Sequence, residues 1–310
     1  MTGTIVTLAA ATLELLACGF FKVAGERMEP LRGTRPLRVL SLALKNGYWL
    51  FGMLLILDGI VLQFLSLELI PLSSANPLNL IPLVVVLIMA LGYFHERLTT
   101  REWVSLAMLA AATGLIALSV AHGLNTRTGS GLPSHALFLA VALPSMAIPL
   151  VIFSLGDLRP TGRHARALAG IAYGASIGVL IGTAEFSAVG LFNAYQAGIR
   201  GVALLAEPYL WVMVLGAVFG LGQMLIALQR CRLAIVITVD AVVLQTQLIL
   251  MSTLLYGEGW PREPLWSLLR AAGFALALIA IFTFPRYEPD PVRPGAPATR
   301  PGPTGHQPVT

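Results

Sequence analysis

Charged residues are scarce in this chain. Asp, Glu, Lys and Arg make up only 11% of its 310 residues, whereas hydrophobic residues make up 56%. Soluble domains carry about 25% charged residues, so the chain lacks the polar surface of an ordinary water-soluble domain. Its mean hydropathy of +0.80 indicates instead a protein embedded in a lipid bilayer.

Cysteine is also rare. The two cysteines, Cys18 and Cys231, are too few to suggest a disulfide framework or a metal site with four thiolates. The histidines do not have the spacing of metal ligands. The sequence contains no nucleophile elbow and no P-loop, and it has no paired catalytic carboxylates on a soluble face. These absences predict a protein that is not an enzyme and that needs no cofactor.

Long apolar runs are what the sequence has in abundance. Roughly 20 apolar residues cross the hydrocarbon core of a bilayer as a helix, and nine runs are close to this length. We therefore predict an all-α integral membrane protein with about nine transmembrane helices in one domain, residues 1–284. The runs are 3–23, 46–69, 72–94, 102–121, 134–155, 166–190, 204–228, 233–255 and 264–284.

Three segments need a separate interpretation. The first run, 3–23, has no basic stretch before it, so we expect a retained helix and not a cleaved signal peptide. The loop 24–45 is long and basic, and it either lies on anionic lipid or serves as a linker. The end of the chain, 285–310, is rich in Pro and Gly and has too little apolar content to fold. We expect this tail to be disordered.

Basic residues are concentrated in alternate loops. Five lie in the loop 24–45, whereas the loops on the other side contain only single arginines such as Arg127 and Arg200. Cytoplasmic loops collect Lys and Arg. We therefore expect a multi-pass protein of the plasma membrane, with its N-terminus outside and its C-terminus in the cytoplasm. This bias accounts for the net charge of +5 without a nucleic-acid partner.

Two parts of the chain, about 46–121 and 204–284, contain the same features in the same order. Each has a deep glutamine in its first run, Gln63 or Gln223, then an acidic residue at the end of its second run and a Trp near the start of its third. Five crossings separate the two glutamines, and an odd number makes the second copy inverted. An inverted repeat is typical of alternating-access transporters.

The run 166–190 has a glycine at every fourth position. This spacing places the glycines on one face of a helix, where a neighbouring backbone can approach closely. The pattern predicts a packing seam. A second interpretation, that a neighbouring helix slides along this face during transport, stays open. The four residues are Gly170, Gly174, Gly178 and Gly182.

Several ionisable side chains fall inside the apolar runs. A charge at the middle of a bilayer costs at least ~2.5–3.5 kcal/mol on insertion scales, so each one needs a reason. By position, Glu14, Asp58 and Asp240 are deep, and Glu185 lies close to the glycine face. Gln247 follows Asp240 by seven residues, which places both on the same side of a helix.

We interpret these side chains as the lining of a central hydrophilic cavity, in which Gln63 and Gln223 face each other. At least one of the deep carboxylates would bind a cation or a proton, and because acids outnumber bases at depth the cavity would favour cations. The alternative is that these groups hold helices together. The candidate binding residues are Glu14, Asp58, Gln63, Glu185, Gln223, Asp240 and Gln247. The expected lining segments are 3–23, 46–69, 166–190, 204–228 and 233–255.

Three stretches of the sequence carry a family resemblance, namely Tyr48-Trp-Leu-Phe-Gly52, Gly59-Ile-Val-Leu-Gln63-Phe-Leu-Ser-Leu and Pro71-Leu-Ser-Ser-Ala-Asn-Pro77-Leu. They resemble the drug/metabolite transporter superfamily of the EamA type, and most of all its NIPA-like magnesium-transporter branch. The resemblance extends over most of 1–284. Members of the superfamily usually have ten helices in two inverted halves, and here the loop 24–45 takes the place of one helix, which implies nine.

Three functions follow as expectations. The first is a secondary transporter that moves a small solute by alternating access, with proton coupling left open. The second is a NIPA-like divalent-cation transporter, in which Asp58 and Asp240 would supply oxygen ligands and Mg²⁺ would be the substrate. The third is a membrane scaffold that does not transport and in which the deep carboxylates are dispensable. The expected partners are the lipid bilayer and a small solute or cation, and a homodimer stays open.

Overall fold

A computed structural model describes residues 2–29, 31, 36–69, 83–96, 98–123, 132–158, 166–257, 260–261 and 263–283. Regular structure in these ranges is entirely helical. A π-helical segment, Met89–Tyr93, continues α4, and a short 3-10 helix, Gly201–Ala206, precedes α8. The α-helices in these ranges are α1 (Thr2–Arg27), α2 (Pro36–Leu44), α3 (Gly47–Leu69), α4 (Leu83–Ile88), α5 (Thr100–Gly123), α6 (His135–Leu158), α7 (Arg166–Gln196), α8 (Pro208–Arg230), α9 (Leu233–Tyr256) and α10 (Pro264–Thr283).

Seven helices of the described part are long and apolar enough to cross a membrane, namely α1 and α5 to α10. An eighth span results if the bent pair α2 and α3, which meet at 88°, is taken together. The predicted all-α architecture is therefore confirmed for the described residues, with seven candidate membrane-spanning helices. The first part of the run 72–94 and the tail 285–310 lie outside the described residues, so nine crossings and a disordered tail stay predictions.

The glycine face of α7 packs against α9. A Cβ atom added at Gly174 would lie 2.7 Å from the carbonyl oxygen of Val236, and one added at Gly178 would lie 2.7 Å from that of Asp240. A Cβ atom at Gly182 would lie 2.9 Å from the side chain of Gln247. Any larger residue would force the two helices apart. This is the close backbone approach that a four-residue glycine spacing predicts.

The contacts of α1 give the relative directions of α3 and α8. Gly59 of α3 lies beside Glu14 of α1, while the earlier Gly52 lies beside the later Phe21, so α1 and α3 are antiparallel. Against α8, Cys18 meets Met224 and Lys22 meets the end of the helix, so α1 and α8 are parallel. The helices α3 and α8 therefore run in opposite directions.

The helices α5 and α10 are also antiparallel. Near the start of α5, the hydroxyl of Ser105 lies 3.2 Å from that of Thr283 at the end of α10. Near the end of α5, Ser119 Oγ donates to the carbonyl of Trp266, close to the start of α10, at 2.7 Å. An inverted repeat requires this opposition for both pairs of equivalent helices, α3 with α8 and α5 with α10. The repeat itself stays a prediction.

The turn between α8 and α9 is held by side chains from elsewhere in the chain. Lys22 Nζ donates to the carbonyls of Leu228 and Cys231 at 2.8 and 2.9 Å, where the partial negative charge at the end of α8 favours a cation. On the other side, Glu96 accepts from the backbone N–H groups of Leu233 and Ala234 at 2.7 and 3.1 Å. Glu96 thus satisfies two of the unpaired N–H groups at the start of α9.

Candidate functional site

A cavity of about 190 Å³ lies between α1, α3, α7, α8 and α9. These helices correspond to the five segments that we expected to line a central cavity. The expectation of a hydrophilic wall is wrong, because most of the lining side chains are Ala, Ile, Leu, Met or Val. Five acidic or amide side chains interrupt this wall, namely Glu14, Gln63, Glu185, Asp240 and Gln245.

Glu14 and Glu185 enter the cavity from α1 and α7. Glu14 has room because the facing residue on α3 is Gly59, where a Cβ atom would lie 2.7 Å from Glu14 Cγ. Gln63 Nε2 of α3 donates a long hydrogen bond of 3.5 Å to Glu185 Oε2. One amide and two carboxylates from three different helices therefore belong to the same cavity wall.

Asp240 and Gln245 enter the cavity from α9. The two side chains belong to residues that are each 6% exposed. Asp240 Oδ1 and Gln245 Oε1 have no hydrogen-bond partner among the described residues. Both unpaired atoms are acceptors, and a buried acceptor without a donor costs free energy. These two side chains leave the cavity with an unmet demand for a donor.

The cavity contains carboxylates at two levels. The backbone of Asp240 contacts α7 at Gly178, and Glu185 lies seven residues further along α7. At a rise of 1.5 Å per residue, the backbones of the two residues are about 10 Å apart along the helix axis. Among the lining residues that the structure describes, no Lys, Arg or His and no aromatic residue is present. The site is therefore acidic, and apolar side chains separate its polar groups.

Gln63 and Gln223 do not face each other, so this prediction is wrong. Gln223 Oε1 accepts from Ser176 Oγ at 2.6 Å, and it is not one of the cavity-lining residues. Gln63 instead contacts Glu185, nine residues beyond Ser176 on α7. Nine residues make two and a half turns, which places the two contacts on opposite faces of α7 and about 13 Å apart along its axis.

Asp58 lies outside the cavity, contrary to expectation. On α3 the lining residues are Ile56, Ile60 and Gln63, and Asp58, two residues after Ile56, points to the opposite side of the helix. Its side chain is exposed among other exposed apolar side chains. Asp58 and Asp240 therefore do not form the predicted pair of Mg²⁺ ligands. The described residues include no group of three or more His, Cys, Asp or Glu able to hold a metal ion.

Gln247 belongs to the packing seam and not to the cavity. It lies against Gly182, and its Nε2 donates to Thr183 Oγ1 of α7 at 3.0 Å. Gln245 lines the cavity, but it is not among the binding residues predicted from the sequence. The spacing of Asp240, Ala241, Leu244 and Gln245 marks the lining face of α9, but the sequence alone does not say which face of α9 packs against α7.

Comparisons with protein-family models, curated proteins and solved structures find no match to this chain. The resemblance to the drug/metabolite transporters and to their NIPA-like branch therefore stays a prediction.

Proposed function

We propose that this protein is a secondary transporter of the drug/metabolite type that moves a small cationic solute across the plasma membrane by alternating access. The observation that carries the proposal is the acidic cavity. Three carboxylates, Glu14, Glu185 and Asp240, line one space of about 190 Å³ without a basic residue among the described lining residues. Buried carboxylates are costly unless a cation or a donor accompanies them.

The position of the cavity supports transport over a purely structural role. Transporters built from inverted repeats bind their solute near the bilayer midplane, between the repeats. Here α3 of the first predicted copy and α8 and α9 of the second contribute to the wall. A scaffold needs no such cavity, and its helices would be joined better by fully paired polar groups.

An organic cation fits this wall better than Mg²⁺. Magnesium demands octahedral oxygen ligands and retains several waters, whereas most of the side chains around this cavity are apolar. An organic cation can present an apolar body to these side chains and its charge to the carboxylates.

Flux in liposomes tests the proposal. Purified protein is reconstituted into liposomes, the uptake of organic cations and of Mg²⁺ is measured directly in turn, and a pH-sensitive dye inside reports any coupled proton flux. We expect at least one organic cation to drive flux through the wild type, and Asp240→Asn to reduce this flux at least about tenfold because the charge is lost while the shape is kept. Asp58→Asn is the matched control and should transport normally.

The other outcomes are informative. Flux driven by Mg²⁺ alone would support a divalent-cation transporter. The absence of flux with every cation, in protein that is folded and oriented, would favour the scaffold. Equal flux in the wild type, Glu14→Gln, Glu185→Gln and Asp240→Asn would show that the carboxylates are structural.

A further inference from the structure

The unpaired atoms of the cavity identify the chemistry of its ligand. Asp240 Oδ1 and Gln245 Oε1 are buried acceptors without a partner among the described residues, and both belong to the cavity wall. A ligand that contacts them has to donate hydrogen bonds. A protonated primary amine has three N–H donors, whereas a quaternary ammonium ion has none, and an anion would meet three carboxylates.

The carboxylate of Glu185, at a second level, adds a further requirement for a donor on the ligand. The backbone of Glu185 lies about 10 Å along the helix axis from that of Asp240, and Gln63 and Glu14 line the same cavity. A ligand with a single ammonium group can serve only one of these levels. A ligand with an ammonium group at each end can serve both.

Apolar side chains lie between the two levels. Ile181 of α7 and Leu244 of α9 line this stretch, and they suit a chain of methylene groups. No aromatic side chain is present among the described lining residues, so the face of a ring is not available to a cation there. The recognition available is a charge-assisted hydrogen bond at each end and apolar contact in the middle.

We propose that the solute is a short linear aliphatic diamine, bound as its diammonium ion. One ammonium group donates to Asp240, and the other donates to Glu185, with Gln245 and Glu14 also on the cavity wall. This inference rests on the proposed function, because it names the cargo of the same cavity. A space of about 190 Å³ accommodates a short methylene chain with an ammonium group at each end.

A series of three ligands tests the proposal on the wild-type protein. Titration calorimetry of the purified protein in detergent compares diaminobutane, butylamine and tetraethylammonium. We expect diaminobutane to bind at least about tenfold more tightly than butylamine, because the second ammonium group adds a second charge-assisted contact. Tetraethylammonium should not bind measurably. Equal affinities for the diamine and the monoamine, or tight binding of tetraethylammonium, would overturn the proposal.

Variants then assign the two ends. Asp240→Asn and Glu185→Gln should each lower the affinity for diaminobutane to about that of butylamine in the wild type. Asp58→Asn, which alters an exposed carboxylate outside the cavity, should leave the affinity unchanged. Undiminished binding by both cavity variants would contradict the proposal. If one variant does not fold, the other variant and the wild-type ligand series still decide the question.

The same titrations separate this inference from the proposed function. Binding of diaminobutane without flux in liposomes would support the proposed ligand and contradict the proposed transport. Flux of another organic cation without binding of diaminobutane would support the proposed transport and contradict the proposed ligand.

Discussion

At the scale of single residues, carboxylates have two different uses in this protein. Asp240 is buried in the cavity with an oxygen that lacks a donor among the described residues, whereas Glu96, outside the membrane-spanning helices, accepts two backbone N–H groups of α9. Asp240 can still accept a hydrogen bond from a ligand, whereas the acceptor oxygens of Glu96 stabilise the fold. Burial raises the pKa of Glu96 above its usual value of 4.5, although the two N–H donors from Leu233 and Ala234 partly oppose this shift.

The raised pKa of Glu96 predicts a pH dependence. The folded state favours the protonated carboxyl, so the stability it contributes is present below the usual pKa and is lost as the pH rises through the folded pKa. Glu96→Gln cannot ionise and should not show this loss. In thermal unfolding in detergent, the stability of the variant relative to the wild type should therefore increase as the pH rises from about 4 to 7.

Glu29→Gln is the control for this measurement, because Glu29 is exposed in a surface pair with Arg38 and such pairs contribute little. If the wild type instead gains stability over Glu96→Gln as the pH rises, the N–H donors of α9 dominate over burial and the interpretation of Glu96 is wrong.

At the scale of helices, the seam between α7 and α9 is the most constrained contact. A Cβ atom at Gly178 would meet the carbonyl of Asp240 at 2.7 Å, so Gly178→Ala should force the helices apart and destabilise the protein by about 1–3 kcal/mol. Gly222→Ala in α8 is the control, since a Cβ atom there has nothing within 4 Å. Alanine favours a helix, so this change should be neutral or stabilising. Thermal unfolding of both variants distinguishes the two effects, and equal stability would mean that the seam adapts.

The helices also show which parts of the site could be predicted from the sequence. Apolar runs and glycine spacing predict where helices lie and that α7 has a packing face, because both depend on local periodicity. The rotation of each helix depends on its neighbours. Asp58 and Ile56 are two residues apart on α3, yet Ile56 lines the cavity and Asp58 does not. Likewise, the partner of Gln63 is Glu185 and not Gln223, and no local pattern reveals this.

At the scale of the whole molecule, contacts between described residues show which helix ends lie on the same side of the bundle. His135 Nε2, at the start of α6, lies 3.0 Å from Glu207, just before α8, and Tyr209 donates to the carbonyl of Pro133. The residues around 134 and 197–208 therefore belong to one end of the bundle. Lys22 contacts Leu228 and Cys231 at the opposite end of α8, so the end of α1 belongs to the other side.

This grouping allows a direct test of the membrane orientation that the basic residues predict. The positive-inside rule assigns the Lys22 end to the cytoplasm and the Ala197 end to the exterior. Single cysteines are introduced by Ser134→Cys, Ala197→Cys and Ser41→Cys, all at exposed positions, after the buried Cys18 and Cys231 are replaced by alanine. An impermeant maleimide added to intact cells should label positions 134 and 197, whereas position 41 should react only after permeabilisation. Labelling of position 41 alone would invert the orientation, and labelling of 134 without 197 would contradict the arrangement of the helices itself.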